Sequence, residues 1–86
     1  MGNEDAVRTE ERRVRRLRLL VDVTAQVLAE DEKLTLCEAL RLVDAARTAA
    51  QRLFPEGDDT FQLVVRPRLD RIIFERFQIP IREPFN

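Results

Sequence analysis

The residues of this chain whose type and spacing suggest a chemical role are arginines near its start. The stretch ERRVRRLRLLVDV, Glu11 to Val23, holds five arginines in its first eight residues and then turns apolar. Such a cluster is typical of a surface that binds nucleic acid or an anionic membrane. It is equally typical of the solvated face of an amphipathic helix. The helix that carries the arginines therefore decides what they do.

Other side chains offer little catalytic or metal-binding chemistry. The chain has no histidine, which is the commonest general base and metal ligand. Its one cysteine, Cys37, has no histidine to activate it and no second thiolate with which to bind zinc. Two glycines are too few for a Gly-rich phosphate loop. We therefore predict no catalytic residues, no metal site and no cofactor, in a protein that is not an enzyme.

The first helix is predicted over residues 6–30 by an apolar seam. The seam consists of Val7, Val14, Val21 and Leu28, spaced by seven, with Leu17 and Thr24 three residues after two of them. At about 100° per residue, the side opposite to the seam holds Arg8, Arg12, Arg15 and Arg16. Acid–arginine pairs spaced by four residues should neutralise part of this basic side. They are Glu4 with Arg8 and Glu11 with Arg15.

We expect the basic side to be solvated rather than occupied by a ligand. One alternative is a phosphate-binding patch, for which Arg12, Arg15 and Arg16 are the candidate anion-binding residues. Another is a helix that lies on a membrane surface. Net charge weighs against a polyanionic partner, because 15 basic and 16 acidic residues leave the chain at −1. We therefore expect neither nucleic acid nor a membrane as the partner.

Past Arg18, the arginine side of the first helix continues as an apolar stripe formed by Leu19, Val23 and Val27. A helix in a small bundle needs one broad apolar face for its two neighbours, so a second stripe needs a further partner. One possibility is that the third helix and the C-terminal tail cover it. We predict instead a homo-oligomer, most simply a two-fold dimer, with Leu19, Val23 and Val27 in its interface.

The second helix is predicted over residues 36–54. Thr35 followed by Glu38 is a capping box, which makes Thr35 the N-cap. Pro55 and Gly57 end the helix. One face of the predicted helix is apolar and consists of Leu36, Ala39, Leu40, Val43, Ala46, Ala50, Leu53 and Phe54.

The third helix is predicted over residues 60–77, with Asp59 as N-cap. Its opening FQLVV, residues 61–65, also has the β-branched composition of a strand. Phe61, Val65, Leu69 and Ile72 nevertheless keep one helical phase across Pro67. Because that phase is unbroken, we predict a helix kinked at the proline rather than a strand followed by a helix.

The last segment, QIPIREPFN at residues 78–86, contains two prolines and is not predicted to be helical throughout. Its apolar residues Ile79, Ile81 and Phe85 are too many for an idle terminus. We predict an extended tail that lies along a groove, either on this chain or on a partner chain.

The compartment is predicted from composition. The N-terminal stretch MGNEDAVRTEERR lacks the apolar core of a signal peptide, and no run approaches membrane-spanning length. A lone cysteine fits a reducing compartment. All basic residues except Lys33 are arginine, as expected of a GC-rich bacterial genome. These features predict a cytoplasmic protein.

Together the patterns predict an all-α fold. It is a three-helix bundle in a single domain, residues 1–86, with a long first helix, a proline-kinked third helix and an extended tail. The predicted function is a non-catalytic helical interaction module, a self-associating scaffold or accessory protein that binds itself and, secondarily, another protein. The alternative is a small nucleic-acid-binding regulator that uses the arginine-rich first helix together with Arg66, Arg68, Arg71 and Arg76. With no Trp or Tyr, that regulator would have few side chains for base stacking.

Overall fold

Three helices make up most of the chain in the computed structural model, which describes residues 2–78. α1 spans Gly2–Glu30 and α2 spans Leu36–Leu53. The third helix starts with a 3₁₀ turn at Pro55–Gly57 and runs without a break to Phe77. Its later segments are α3 (Asp58–Thr60), a π-helical segment (Phe61–Val65) and α4 (Arg66–Phe77). Residues 2–78 contain no strand, so the predicted all-α three-helix fold is confirmed.

The chain runs up, down and up through the bundle. At one end, the guanidinium of Arg13 lies 4.7 Å from the ring centroid of Phe54, which follows α2. At the other end, the guanidinium of Arg76 in α4 donates to the Leu28 carbonyl in the last turn of α1, at 2.7 Å. α1 and α4 are therefore parallel, and α2 lies antiparallel to both.

α1 has 29 residues, a length of about 43 Å, and starts four residues before the predicted position. The predicted seam is buried in its C-terminal half, where Val21, Thr24 and Leu28 are all inaccessible or nearly so. Its N-terminal end is not buried, because Val7 is 55% exposed. Arg13 marks the point where α2 ends alongside α1, so nothing in the described bundle reaches Val7.

The start of α1 therefore forms an arm, defined as residues 3–12, in which every residue is exposed. The arm contributes to the elongated shape of the described chain, whose extents are 60 × 31 × 15 Å. Two acidic residues in its first turn, Glu4 and Asp5, suit the positive end of the helix dipole. The arm is thus a solvated extension of α1 rather than part of the core.

The core is formed where the three helices meet, and Leu28, Val43, Leu69 and Ile73 are its largest fully buried side chains. α2 begins at the predicted capping box, in which the Glu38 N–H donates to Thr35 Oγ1 and the Thr35 N–H donates to Glu38 Oε1, each at 3.1 Å. Its buried residues are Ala39, Val43, Ala46 and Ala50. These small side chains allow the other two helices to approach α2 closely.

The predicted apolar face of α2 is too broad at its start. Leu36 is 36% exposed and Leu40 is 49% exposed, although both were assigned to that face. On the helix they lie to one side of the buried alanines, and the described parts of α1 and α4 leave them largely accessible. Helical periodicity identifies the buried side of a helix but does not fix how far a neighbour covers it.

The third helix is kinked as predicted, but it starts earlier. Asp59 lies inside α3 and is not the N-cap. The helical turn begins at Pro55 instead, because proline at the first position of a helix has the required φ and lacks only an N–H that would have no partner. This start places Asp58 as well as Asp59 in the first turn of α3.

The π-helical segment lies immediately before Pro67. Proline has no N–H to donate to the carbonyl four residues back, and its ring clashes with that carbonyl. Here the Arg66 N–H donates to the Phe61 carbonyl, five residues back, which widens the turn ahead of the proline. Phe61 and Leu69 are both buried on either side of the kink, and the helix continues across the proline as predicted. The next fully buried residue is Ile73 rather than the predicted Ile72, which is partly buried.

Arg47 in α2 and Asp58 in α3 fasten the start of the third helix to α2. The Arg47 guanidinium donates from Nε to Asp58 Oδ1 at 2.9 Å and from Nη2 to Asp58 Oδ2 at 2.8 Å. This bidentate geometry is the most favourable for an arginine–carboxylate pair. Hydrogen bonding from Arg47 lowers the pKa of the Asp58 carboxyl below its usual range.

We predict that the Arg47–Asp58 pair stabilises the fold only where Asp58 is ionised. Because the pKa of Asp58 is lower in the folded chain than in the unfolded one, the pair contributes fully above about pH 4. The contribution is lost as pH falls through the folded-state pKa. In urea unfolding, the parent and Asp58→Asn should differ by a constant amount from pH 7 to about pH 5, and the difference should shrink as pH falls below about 4. A difference that is the same at about pH 2 as at pH 7 would contradict the prediction.

Arg76 caps the C-terminus of α1 from another helix. Besides the Leu28 carbonyl, its guanidinium hydrogen-bonds the carbonyls of Val27 and Asp31. The last turn of α1 contains no basic residue of its own. A cation at this position suits the negative end of the helix dipole and gives the Leu28 carbonyl, near the end of α1, a donor. The Val27 and Asp31 carbonyls also accept backbone N–H groups, from Asp31 and Leu34. α4 ends directly after this contact, at Gln78 with φ of 49°.

The predicted tail, with Ile79, Ile81 and Phe85, lies outside the described residues.

Candidate interaction surface

The predicted interface stripe lies on the outer side of α1. Leu19 is 63% exposed and Val23 is 49% exposed, whereas Val27 is partly buried. The three residues are spaced by four, so they form a row about 12 Å long. The sequence leaves open that the third helix and the C-terminal tail cover the stripe. The third helix does not cover Leu19 or Val23, because both remain exposed. The stripe remains accessible on residues 2–78.

Helix geometry explains this exposure. At about 100° per residue, Leu19 points in the direction opposite to Leu28, which is fully buried. Val27 lies closer to the edge of the buried side and beside the Arg76 guanidinium, which hydrogen-bonds its carbonyl. The stripe is therefore a second apolar face, distinct from the face that builds the core.

Charged residues of opposite sign flank the stripe along α1. On its N-terminal side lie Arg12, Arg15 and Arg16, all of them exposed. On its C-terminal side lies Glu30, also exposed, followed by the acidic turn residues Asp31 and Glu32. The surface is thus basic at one end, apolar in the middle and acidic at the other end.

The candidate anion-binding residues are close together in space as well as in sequence. Arg12, Arg15 and Arg16 lie within about one turn of α1, and within residues 2–78 none of them forms an ion pair. The expected pairs Glu4–Arg8 and Glu11–Arg15 are not formed. Exposed ion pairs gain little over hydration, so spacing alone does not close them.

Five of the ten other arginines in the described residues contact this chain's own groups. Arg13 pairs with Glu10 at 2.9 Å and Arg71 pairs with Glu75 at 3.2 Å. Arg66 lies 3.9 Å from Asp70, and Arg76 caps α1. Of the arginines that the nucleic-acid alternative adds on the third helix, only Arg68 makes no such contact within residues 2–78.

We predict that replacing Arg12, Arg15 and Arg16 together with glutamine changes the free energy of unfolding by less than about 1 kcal/mol. The physical reason is that all three side chains are exposed and form no ion pair within the described chain. Urea unfolding measures the stability, and fluorescence anisotropy with labelled duplex DNA measures binding. Micromolar DNA binding by the parent, lost in the triple variant, would favour the nucleic-acid alternative.

Three apolar residues outside the stripe are also exposed on the third helix. Leu63 is 78% exposed and Val64 is 65% exposed, both in the π-helical segment, and Phe74 in α4 is 41% exposed. The predicted helical phase of Phe61, Val65 and Leu69 leaves Leu63 and Val64 off the buried face. Leu63 and Val64 are adjacent, and Phe74 lies about 16 Å further along the third helix, whereas Leu19, Val23 and Val27 form one continuous row.

Cavities and polar clusters offer no stronger site in residues 2–78. An apolar cavity of about 230 Å³ lies below the π-helical segment, lined by Leu17, Phe54, Phe61 and Val65 among others. It is smaller than the pockets that usually hold small molecules. Cys37 is exposed at the start of α2. No group of three or more acidic or cysteine side chains in the described residues is arranged to hold a metal ion.

None of the described helices combines the length and apolar composition that a membrane crossing needs. Comparison of the chain with protein-family models, with curated proteins and with solved structures finds no match.

Proposed function

We propose that this chain is a non-catalytic helical interaction module that associates with a second copy of itself. The observation that carries the proposal is the stripe, in which Leu19 and Val23 stay about half exposed or more on a face that the bundle does not use. Contiguous apolar rows of this kind are typical of protein–protein contact surfaces. A two-fold dimer would bury the same row twice.

The size of the stripe sets an upper limit on the free energy that it contributes to dimerisation. Full burial of a Val or Leu side chain contributes about 1.5–3 kcal/mol, so burial of the exposed half contributes roughly half of that. Four such side chains in a dimer, Leu19 and Val23 of each copy, then supply about 3–6 kcal/mol, and the two partly buried Val27 side chains add less. Association costs on the order of 4–15 kcal/mol before any contact is made. The stripe therefore provides the centre of an interface, and its flanks must contribute as well.

The chain would act by binding rather than by chemistry, as a scaffold or accessory protein. Neither the exposed cysteine nor the small apolar cavity provides a group of reactive side chains. A nucleic-acid-binding regulator is the second candidate, supported by Arg12, Arg15 and Arg16, which are exposed and form no ion pair within residues 2–78. The two functions differ in their dependence on salt, because phosphate binding releases counterions and apolar contact does not.

A salt titration tests the proposal. Light scattering coupled to gel filtration gives the molar mass of the parent, and we expect a dimer whose affinity changes less than about tenfold between 50 and 200 mM salt. DNA binding carried by three arginines would fall about 40-fold over the same range. A parent that is monomeric at high micromolar concentration, together with steeply salt-sensitive DNA binding, would reverse the order of the two functions.

A further inference from the structure

We infer that the second copy docks antiparallel along α1, with Val23 on the two-fold axis. This inference rests on the proposed self-association and adds its geometry. The partner binds with the same face of its own α1, which runs in the opposite direction. The order of charges along that face supports this arrangement.

Along the face of α1 that contains the stripe, the charge changes from one end to the other. At about 100° per residue, Arg12, Arg16 and Glu30 point in the same arc of α1 as the stripe residues. All three are exposed. Along the helix the face therefore reads basic, then apolar, then acidic.

The stripe residues and the charges that flank them are spaced symmetrically about Val23. Leu19 lies four residues before Val23 and Val27 lies four residues after it. Arg16 lies seven residues before Val23 and Glu30 lies seven residues after it. In an antiparallel pair centred on Val23, residues at equal distances on either side face each other. Leu19 then faces the partner's Val27, and Arg16 faces the partner's Glu30, about 10 Å from the axis along the helix.

A parallel dimer would place like charges against each other. A two-fold axis parallel to the helices places each residue against its own copy, so Arg12 and Arg16 would meet the partner's Arg12 and Arg16. Glu30 would meet the partner's Glu30. Like charges in direct opposition favour the separated chains, and complementary charges fix the register of a helix pair. The charge order therefore favours the antiparallel arrangement.

The bundle leaves room for this arrangement. The stripe is on the side of α1 opposite to the buried Leu28, so α2 and α4 of each copy lie on the outside of the pair. The exposed arm, residues 3–12, would extend past the end of the partner's α1.

Disulfide cross-linking tests the direction of the pair. Two variants, Leu19→Cys and Val27→Cys, are made in a Cys37→Ser background, because Cys37 is exposed and would react itself. One variant carries a longer tag, so that the three covalent dimers differ in mass. We expect mild oxidation of the mixture to link the two different variants, with at least a tenfold excess over dimers of either variant alone.

The possible results of cross-linking distinguish the antiparallel direction of the pair from self-association itself. If Leu19→Cys cross-links mainly to itself, the pair is parallel and the inference is overturned, while self-association through the stripe stands. If neither variant cross-links although light scattering shows a dimer, another surface joins the copies, so the inferred register and the assignment of the stripe are overturned, while self-association stands. A parent that remains monomeric overturns the proposed function itself.

Charge reversal gives an independent readout of the same register. Arg16→Glu should weaken the dimer about tenfold, and adding Glu30→Arg to the same chain should restore most of the affinity. Arg68→Glu makes the same charge change on an exposed residue of α4 and should leave the affinity unchanged. Failure of the double variant to recover any affinity would contradict the pairing of Arg16 with the partner's Glu30.

Discussion

Val23→Glu is expected to weaken self-association at least about 100-fold and to leave the folded monomer intact. In the proposed dimer, the two substituted side chains would face each other at the axis. Burying two carboxylates there without a cationic partner costs several kcal/mol. In the monomer, position 23 is 49% exposed, so the glutamate remains in water. Light scattering and thermal melts followed by circular dichroism measure the two effects separately.

A matched control for Val23→Glu is Thr48→Glu. Thr48 is exposed on the outer side of α2, and its substitution adds the same charge to the chain. We expect this variant to dimerise like the parent. The interface assignment would be wrong if Val23→Glu were as dimeric as Thr48→Glu. It would also be wrong if Val23→Glu failed to fold, because Val23 would then belong to the monomer's own core.

Leu28→Ala is expected to have the largest effect on the stability of the monomer. Leu28 is fully buried between the helices, and truncating such a side chain removes its apolar burial and leaves a cavity. The expected loss in the free energy of unfolding is about 2–5 kcal/mol. The measurement is best made in the Val23→Glu background, because dimerisation would otherwise make stability depend on concentration. Urea unfolding then reports on the single chain.

The comparison for Leu28→Ala is Leu19→Ala in the same background. Leu19 lies on the same helix but is 63% exposed, so we expect its truncation to cost less than about 0.5 kcal/mol. Equal losses from the two substitutions would show that the two sides of α1 are equally buried. The distinction between a core face and an interface stripe would then fail.

Local signals in the sequence predicted most of the fold. The Thr35–Glu38 capping box sets the start of α2, and it does so through contacts between residues three apart. The kinked third helix followed from an apolar period that crosses Pro67. The π-helical segment ahead of the proline was not predicted, because its wider turn is a way of accommodating the missing N–H rather than a pattern of residue types.

Features that depend on tertiary contacts were not predicted. Arg76 caps α1 from 48 residues away along the chain, and no local pattern distinguishes it from a surface arginine. The same holds for the Arg47–Asp58 pair, whose members are eleven residues apart and lie on different helices. The exposure of Val7 followed from where α2 ends alongside α1, which is set by packing rather than by periodicity.

The candidate surface was predicted more fully than these contacts. Leu19, Val23 and Val27 were identified because their spacing puts them on a face other than the seam, and that face is indeed left accessible at Leu19 and Val23. Helical phase alone determines which side of a long helix points away from its neighbours. What phase cannot determine is the occupant of that side, which depends on a second molecule.

Sedimentation equilibrium of the unmodified chain tests the central claim most directly. The chain has a mass of 10.1 kDa, and the measurement is made from low micromolar concentration to about 500 µM, a range that covers weak apolar interfaces. Self-association through the stripe predicts a mass that rises with concentration to twice that of the single chain and depends little on salt. A mass that stays at 10.1 kDa over the whole range would contradict it.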